Sequence, residues 1–173
     1  NQETTIQAAI DIGSNTIHIV VARCTSTSLE ILHDEQEMVR IGESVTAHGE
    51  ISAQKFDETI SLLSHYKNLV AQYTLNAPLI IATEAIRKAR NNQQFLAAIH
   101  SATNLHVHLI DGTVEALLTF YGATYELYQE PSPPPQVAVL DLGGGSMELV
   151  TASHKQITWH TSVPLGSGWL HDR

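Results

Sequence analysis

Short stretches of alternating apolar and polar residues, separated by glycines and prolines, mark the beginning of this chain. Alternation is typical of half-buried strands, and here it predicts a meander at residues 7–13, 17–24 and 29–39. Apolar residues then recur every three or four positions, which predicts a long amphipathic helix from its N-cap Ser52 to Tyr73. Residues 40–51, which contain two glycines, are predicted to form an exposed loop.

The rest of the chain first mixes helices with strands and then returns to strands. Helices are predicted from Thr83 to 91, over about 93–103 and over about 111–128. The predicted strands are 79–82, 107–110, a strand leading to Asp141, 145–152 and 156–163. The proline-rich residues 130–135 form a stiff connector. This order predicts an α/β protein with one domain at 1–130 and the beginning of a second at 131–173.

One pattern occurs twice: an apolar strand, an aspartate, one apolar residue, a glycine with small neighbours, and a second strand. In both copies the aspartate, Asp11 or Asp141, stands two positions before the first turn glycine, Gly13 or Gly143. Such turns expose backbone N–H groups that suit phosphate oxygens, although a plain glycine hairpin would have the same sequence. The repeat predicts two similar lobes that face each other across a polyphosphate. The residues predicted to bind it are Asp11, Gly13, Ser14 and Asn15 in the first turn and Asp141, Gly143, Gly144, Gly145 and Ser146 in the second.

Composition and charge reduce the number of functional classes to which the protein could belong. The formal net charge is −9, with 18 acidic and nine basic residues, which argues against a general nucleic-acid binder. A polyanionic substrate would then need local positive charge or a metal ion. No apolar stretch approaches the roughly 20 residues of a membrane span. The single cysteine, Cys24, excludes an internal disulfide and favours a reducing compartment.

Several polar residues allow both a functional and a structural interpretation. Arg87, Lys88 and Arg90 place three of the nine basic residues within four positions, after a strand, where α/β sheets collect ligands. A solvated helix face would have the same composition. His106 and His108 would share one face of a strand, yet without a third ligand we expect a solvated pair rather than a metal site. Glu115 in the first turn of a helix is explained equally well by the helix dipole.

With these elements placed, the chain resembles the exopolyphosphatase and guanosine pentaphosphate phosphatase family. That family belongs to the larger group of sugar kinases, actin and heat-shock ATPases. The resemblance rests on five stretches in this order: 10–18, 82–91, 112–116, 141–150 and 164–166. It implies a ribonuclease-H-like (actin-like ATPase) α/β fold with a mixed sheet. It also implies that the chain is the first lobe and the start of the second lobe of a longer protein.

The resemblance further implies roles for individual residues. Glu115 matches the family's general base and Arg87 a phosphate-binding arginine, both counted as catalytic residues. Asp141, Gly143 and Glu148 match the site around the attacked phosphate and its metal, so Asp141 and Glu148 are the expected Mg²⁺ ligands. Two positions depart from the family pattern: Val114 stands where the family usually has Glu, and Met147 stands where it has Thr.

These observations predict a hydrolase that releases the terminal phosphate of inorganic polyphosphate or guanosine pentaphosphate. Two alternatives remain at this stage. One is a kinase or ATPase of the same fold, and the other is a non-catalytic regulator that binds polyphosphate or nucleotide. We further expect Mg²⁺ as cofactor, a homodimer of the intact protein, a cytoplasmic location, and neither nucleic acid nor membrane as partner.

Overall fold

A five-stranded mixed sheet organises the first half of the protein in the computed structural model, which describes residues 4–167. The strand order is β3-β2-β1-β4-β5. The strands are β1 Thr5–Ile12, β2 Thr16–Cys24, β3 Leu29–Met38, β4 Leu79–Ala82 and β5 Val107–Leu109. The first three form an antiparallel meander, whereas β4 lies parallel to β1 and β5 parallel to β4. The strand meander predicted from alternation is therefore present.

Four helices belong to this first half: α1 Ile41–His48, α2 Ala53–Val70, α3 Glu84–Lys88 and α4 Asn92–Thr103. One face of β1 is buried through Ala8, Ile10 and Ile12, and that face joins a continuous core with apolar residues of α2 and α4. Ser52 is the N-cap of α2, as predicted, because its hydroxyl accepts a hydrogen bond from the Lys55 N–H at 3.3 Å.

The prediction of an exposed loop at 40–51 is wrong, because most of this stretch forms α1. The helix begins after Arg40 and ends at Gly49, both in the left-handed region with φ of 57° and 71°. It has only eight residues and only Ile41 is buried. A helix this short, with one buried position, produces no recurring apolar pattern in the sequence.

The second half contains α5 Gly112–Thr124 and a three-stranded antiparallel sheet in the order β6-β7-β8. These strands are β6 Gln136–Leu142, β7 Met147–Ser153 and β8 Gln156–Val163. The predicted helix over about 111–128 ends earlier than expected, and a separate 3-10 turn follows at Leu127–Gln129. Ala116 and Phe120 of α5 form a small buried core with Val150 and Ala152 of β7.

The chain divides into two compact units between Leu109 and Ile110. The sequence placed the boundary after residue 130, in the proline-rich connector. The earlier division has a physical cause: the buried side of α5 packs on β7, so the helix belongs with the second sheet. A stiff connector can lie inside a compact unit when the elements on both sides of it share one core.

The mixed α/β fold expected from the sequence is confirmed. An antiparallel meander extended by parallel strands, with helices between them, is the ribonuclease-H-like arrangement that the resemblance implied. Within residues 4–167, no helix has the length and apolar character needed to cross a bilayer.

Candidate functional site

The two glycine turns have the same backbone geometry. In the first, the Gly13 N–H donates to the Thr16 carbonyl at 3.0 Å, and in the second the Gly143 N–H donates to the Ser146 carbonyl at 2.9 Å. The flanking registers also correspond, because Asp11 pairs with His18 and Asp141 with Glu148. The repeat seen in the sequence is thus a repeat of structure, residue by residue. In this repeat His18 occupies the position of Glu148.

The first turn lies at the end of β1, beside the parallel strand β4. Asp11 is the second-last residue of β1 and is exposed, whereas Ser14 in the glycine turn is buried. The Asn15 carbonyl accepts hydrogen bonds from the N–H groups of Val39 and Arg40, at 2.9 and 2.8 Å. These bonds attach the turn to the segment that follows β3. The turn is therefore held from outside the hairpin as well as from within it.

Helix α3 places Arg87 near the same edge of the first sheet. The Thr83 N–H, just before α3, donates to the Ile12 carbonyl at 3.3 Å, so the helix begins beside the last residue of β1. The Arg87 N–H donates to the Thr83 carbonyl, and the Asn92 side-chain amide donates to the Arg87 carbonyl. The backbone at Arg87 is thus fixed on both sides, and its side chain is half-buried.

The other two basic residues of the predicted cluster have structural roles. Lys88 forms an ion pair with the buried carboxylate of Glu84. Arg90 donates to the Glu50 carboxylate at 3.2 Å and to the His48 carbonyl at 2.9 Å, which ties the segment between α3 and α4 to the end of α1. The structural interpretation therefore accounts for Lys88 and Arg90, and Arg87 is the member of the cluster that we retain as a candidate.

In the second unit, hydroxyl groups of the glycine turn and of α5 form hydrogen bonds with the carboxylates of Glu115 and Asp141. The Ser146 hydroxyl donates to Glu115 Oε1 at 3.4 Å, and the Thr119 hydroxyl donates to Asp141 Oδ2 at 3.4 Å. Residues four apart lie on one helix face, so Glu115 and Thr119 present their polar groups together. The structure thus brings Glu115, Asp141 and Ser146 to one end of this unit.

Glu148 is the most enclosed of these carboxylates. Its residue is 2% exposed, and Ser162 of β8 donates a hydrogen bond to its Oε1 at 2.7 Å. Ser162 is the register partner of Glu148, just as Glu148 is the register partner of Asp141. Because directly opposite residues share one face of a sheet, these three side chains form a row across β6, β7 and β8.

The position of Glu115 follows from local sequence. Asp111 is the N-cap of α5, and its carboxylate accepts a hydrogen bond from the Val114 N–H at 2.9 Å. This cap sets where the first turn of the helix starts. Burial of Ala116 and Phe120 then sets the rotation of the helix, which leaves Glu115 half-buried at the border of the apolar face.

Sequence reasoning missed Ser162 and Thr119. Neither belongs to a glycine turn or to a motif that the family resemblance covered. The register of the second sheet is the signal that identifies Ser162, and the helical spacing from Glu115 is the signal that identifies Thr119.

The placement of Asp141 and Glu148 can be compared with the usual coordination of Mg²⁺ in proteins. Asp141 and Glu148 lie opposite each other on paired strands, and Mg²⁺ in proteins is commonly bound by one or two carboxylates with water in the other positions. The pair fits such a site. Among residues 4–167, no group of three or more His, Cys, Asp or Glu side chains is arranged to hold a metal ion. Among these residues the candidate Mg²⁺ ligands are therefore the pair Asp141 and Glu148, which the resemblance implied, without a third carboxylate.

The candidate histidines take other roles. His106 and His108 are both exposed, and His106 stacks on His100 with ring centroids 4.3 Å apart. His18 is half-buried on the strand face that also carries Asp11, and its Nε2 lies 2.7 Å from the Asp34 carboxylate. Neither arrangement forms a metal site among the described residues.

A ribonuclease-H-like sheet whose glycine turn recurs in a second unit defines the class: an α/β protein with two units that each carry such a turn. Comparison with known proteins gives the family. The model of the Ppx/GppA phosphatase family matches residues 20–173, and the chain belongs to that family.

Solved structures of that family resemble the chain over nearly its whole length. The crystal structure of the Aquifex aeolicus member of the Ppx/GppA family is 29% identical, with a TM-score of 0.84 over 98% of this chain and 54% of that one. An exopolyphosphatase from Cytophaga hutchinsonii is 26% identical, with a TM-score of 0.85 over 98% of this chain and 53% of that one.

A curated relative is a much longer protein with two activities. The bifunctional 3-dehydroquinate synthase/phosphatase of Fusobacterium nucleatum is 25% identical over 169 residues, which are 94% of this chain and 25% of that protein. The chain thus spans about half the length of its solved relatives and a quarter of this curated one.

Proposed function

We propose that the protein releases the terminal phosphate of inorganic polyphosphate or guanosine pentaphosphate by hydrolysis. The observation that carries this proposal is the grouping of Glu115, Asp141, Ser146 and Glu148 around the second glycine turn. Membership of a phosphatase family and the similarity to an exopolyphosphatase support the same reaction class.

The proposed chemistry assigns each group a task. Hydrolysis of a phosphoanhydride needs an oriented water, in-line geometry and stabilisation of charge on the equatorial oxygens. Backbone N–H groups of Gly143 to Ser146 would donate to those oxygens without reorganisation during the reaction. Glu115, held by the Ser146 hydroxyl beside this turn, would orient the water and accept its proton. Arg87 would bind phosphate oxygens through two parallel hydrogen bonds.

Mg²⁺ is part of the proposal. Asp141 and Glu148 would hold it, and Ser162 would keep the Glu148 carboxylate in place. When bound, the ion would supply charge neutralisation for the phosphoryl oxygens. We also propose that the intact protein is a cytoplasmic homodimer.

The direct test is phosphate release by the intact protein from each of the two substrates, with and without Mg²⁺. Release from at least one substrate, dependent on Mg²⁺, is the expected result. Absence of release from both, under conditions where both bind, would replace the hydrolase by a non-catalytic polyphosphate or nucleotide binder. Transfer of phosphate to an acceptor other than water would point to a kinase of the same fold.

Glu115→Gln separates the catalytic interpretation of Glu115 from the helix-dipole interpretation. A glutamate that only complements the helix dipole contributes about 0.3–1 kcal/mol to stability and nothing to turnover. A general base contributes a factor of about 10²–10⁴ in rate. We therefore expect Glu115→Gln to bind substrate normally but to turn over at least ~100-fold more slowly.

The matched control is Glu126→Gln, which removes one exposed carboxylate just after α5. It should leave turnover unchanged. Equal rates for Glu115→Gln and the wild-type protein would remove Glu115 from the mechanism and make Glu148 the next candidate base.

A further inference from the structure

The structural repeat extends beyond the two hairpins to the segment that follows the third strand of each sheet. After β3 the chain reads Val39-Arg40-Ile41-Gly42, and from the last residue of β8 it reads Val163-Pro164-Leu165-Gly166. Both stretches are a valine, a variable residue, a large aliphatic residue and a glycine. In each unit the glycine comes back to the turn that opened the same sheet.

Gly166 packs directly on the second glycine turn. A Cβ at this position would overlap the carbonyl group of Gly144 and the nitrogen of Gly145, which are backbone atoms and cannot rotate away. Gly166 is buried, and the next residue, Ser167, donates its N–H to the Gly143 carbonyl at 2.8 Å. Position 166 therefore accepts only glycine unless the peptide between Gly144 and Gly145 moves.

Gly42 makes the equivalent contact in the first unit. Its N–H donates to the Ser14 carbonyl at 2.8 Å, and a Cβ at this position would lie 3.0 Å from the Ser14 Cβ and 3.2 Å from the Ser14 carbonyl oxygen. Ser14 holds the same place in its turn as Gly144 holds in the second. The contact is looser here, and the hydrogen bond is shifted by one residue relative to that of Ser167.

The physical need for such a contact is plain. A run of three glycines has more conformational freedom than any other sequence of its length, so its N–H groups do not stay aligned by themselves. Donors bind an anion strongly only if they already point at it before the ligand arrives. A backbone packed against the central peptide of the turn supplies that alignment without adding a side chain to the space above the turn.

We propose that Gly166 and Gly42 are positioning residues: each fixes the peptide orientation of a phosphate-binding turn by direct backbone packing. This inference rests on the proposed function, because it assigns phosphate oxygens to those turns. In this proposal each glycine acts through the turn that it contacts.

The experiment compares Gly166→Ala, Gly42→Ala and Gly122→Ala in the intact protein. Gly122 is the matched control, because it lies exposed on α5 and an added Cβ there meets no atom within 4 Å. Two quantities are measured: hydrogen exchange at the amides of the turn that each glycine contacts, and the dissociation constant of inorganic tripolyphosphate together with KM.

We expect Gly166→Ala to accelerate exchange at Gly144 and Gly145 and to raise KM and the tripolyphosphate dissociation constant by about tenfold or more, since small misplacements of binding groups have large effects. Gly42→Ala should have a smaller effect of the same kind at Ser14, and Gly122→Ala should have none. A purely structural defect would instead reduce the active fraction and leave KM and the dissociation constant at their wild-type values.

The possible failures are distinguishable. Unchanged exchange at Gly144 and Gly145 in Gly166→Ala would overturn the packing role, whatever the activity. Faster exchange with unchanged tripolyphosphate binding would overturn the role in phosphate binding. If Gly166→Ala does not fold, Gly42→Ala decides by the same two measurements. If the wild-type protein neither binds tripolyphosphate nor releases phosphate, the proposed function fails, and the positioning role falls with it.

Discussion

At the scale of single residues, the site depends on hydroxyl groups that hold carboxylates. Ser162 donates to Glu148 at 2.7 Å, and Glu148 is almost completely enclosed. A hydrogen bond to a charged acceptor is worth about 1.5–3 kcal/mol, and its loss leaves a buried carboxylate with one fewer donor. The orientation of Glu148 is therefore sensitive to a residue on the neighbouring strand.

We expect Ser162→Ala to lower turnover and to weaken Mg²⁺ activation by roughly tenfold or more, as is common when a residue that orients a metal ligand is removed. The measurement is phosphate release as a function of Mg²⁺ concentration. Thr158→Ala is the control, because it removes another hydroxyl contact between β7 and β8, the one between Thr158 and Thr151 at 3.0 Å. If both variants show the same Mg²⁺ dependence as the wild-type protein, Ser162 has no role in the site.

Arg87 allows a test of geometry at constant charge. A guanidinium can form two parallel hydrogen bonds to one phosphate, whereas an ammonium acts as a point charge. Arg87→Lys should therefore raise KM although the net charge stays the same. Lys88→Arg is the control, since Lys88 already pairs with Glu84 and its replacement keeps that ion pair possible. Kinetics of Arg87→Lys identical to those of the wild-type protein would return Arg87 to the structural interpretation.

At the scale of secondary-structure elements, α2 contributes a buried tyrosine whose ionisation opposes folding. Burial, together with the negative charges of Glu35 and Glu37 on β3, raises the pKa of Tyr66 to about 12. Its hydroxyl has no hydrogen-bond partner among the described residues. The folded protein therefore retains the phenolic proton at pH values where the unfolded chain, with an ordinary pKa of 10.0, has lost it.

The consequence is a loss of stability at alkaline pH. Between the unfolded and the folded pKa of Tyr66 the folded state binds more protons, so the free energy of unfolding falls as the pH rises. Tyr66→Phe should remove this contribution and should also relieve the cost of a buried hydroxyl without a partner, about 1–3 kcal/mol. Urea unfolding at several pH values above 9 measures both effects. If the free energy of unfolding of Tyr66→Phe falls with pH as steeply as that of the wild-type protein, Tyr66 is not the source of the alkaline loss of stability.

At the scale of the whole molecule, the two units differ in the size of their cores. The first unit buries a continuous cluster contributed by strands β1, β2 and β4 and by helices α1 to α4, and every member of it lies before Ile110. Among the described residues of the second unit, up to Ser167, four buried apolar residues form its cluster: Ala116, Phe120, Val150 and Ala152. A small core provides little net stability after the loss of conformational entropy.

A fragment of residues 1–109 should therefore fold by itself and unfold cooperatively on heating, as small single domains do. The matched fragment is 1–130, which ends at the boundary predicted from the sequence. It carries α5 without the sheet that covers it, so Ala116 and Phe120 would be exposed and the fragment should be less soluble. Thermal unfolding and sedimentation measure these properties. A fragment 1–109 that melts without a cooperative transition would show that the first unit depends on the second.

The sequence by itself determined the elements whose signal is local. Alternation located β1, β2 and β3, the helical period located α2 and its N-cap Ser52, and the repeated aspartate and glycine pattern located both turns. These features follow from neighbouring residues, because strand alternation, helical spacing and the steric freedom of glycine all act over a few positions.

Only the tertiary structure decided which distant residues meet. The bond from Ser162 to Glu148, the bond from Thr119 to Asp141 and the packing of Gly166 on Gly144 each join different elements, and each depends on register or helix rotation rather than on local pattern. The same holds for α5, which the connector at 130–135 assigned by sequence to the first domain and whose apolar face packs on β7. Burial of Ala116 and Phe120 decides that position, because an apolar helix face is most stable against the surface that removes it from water.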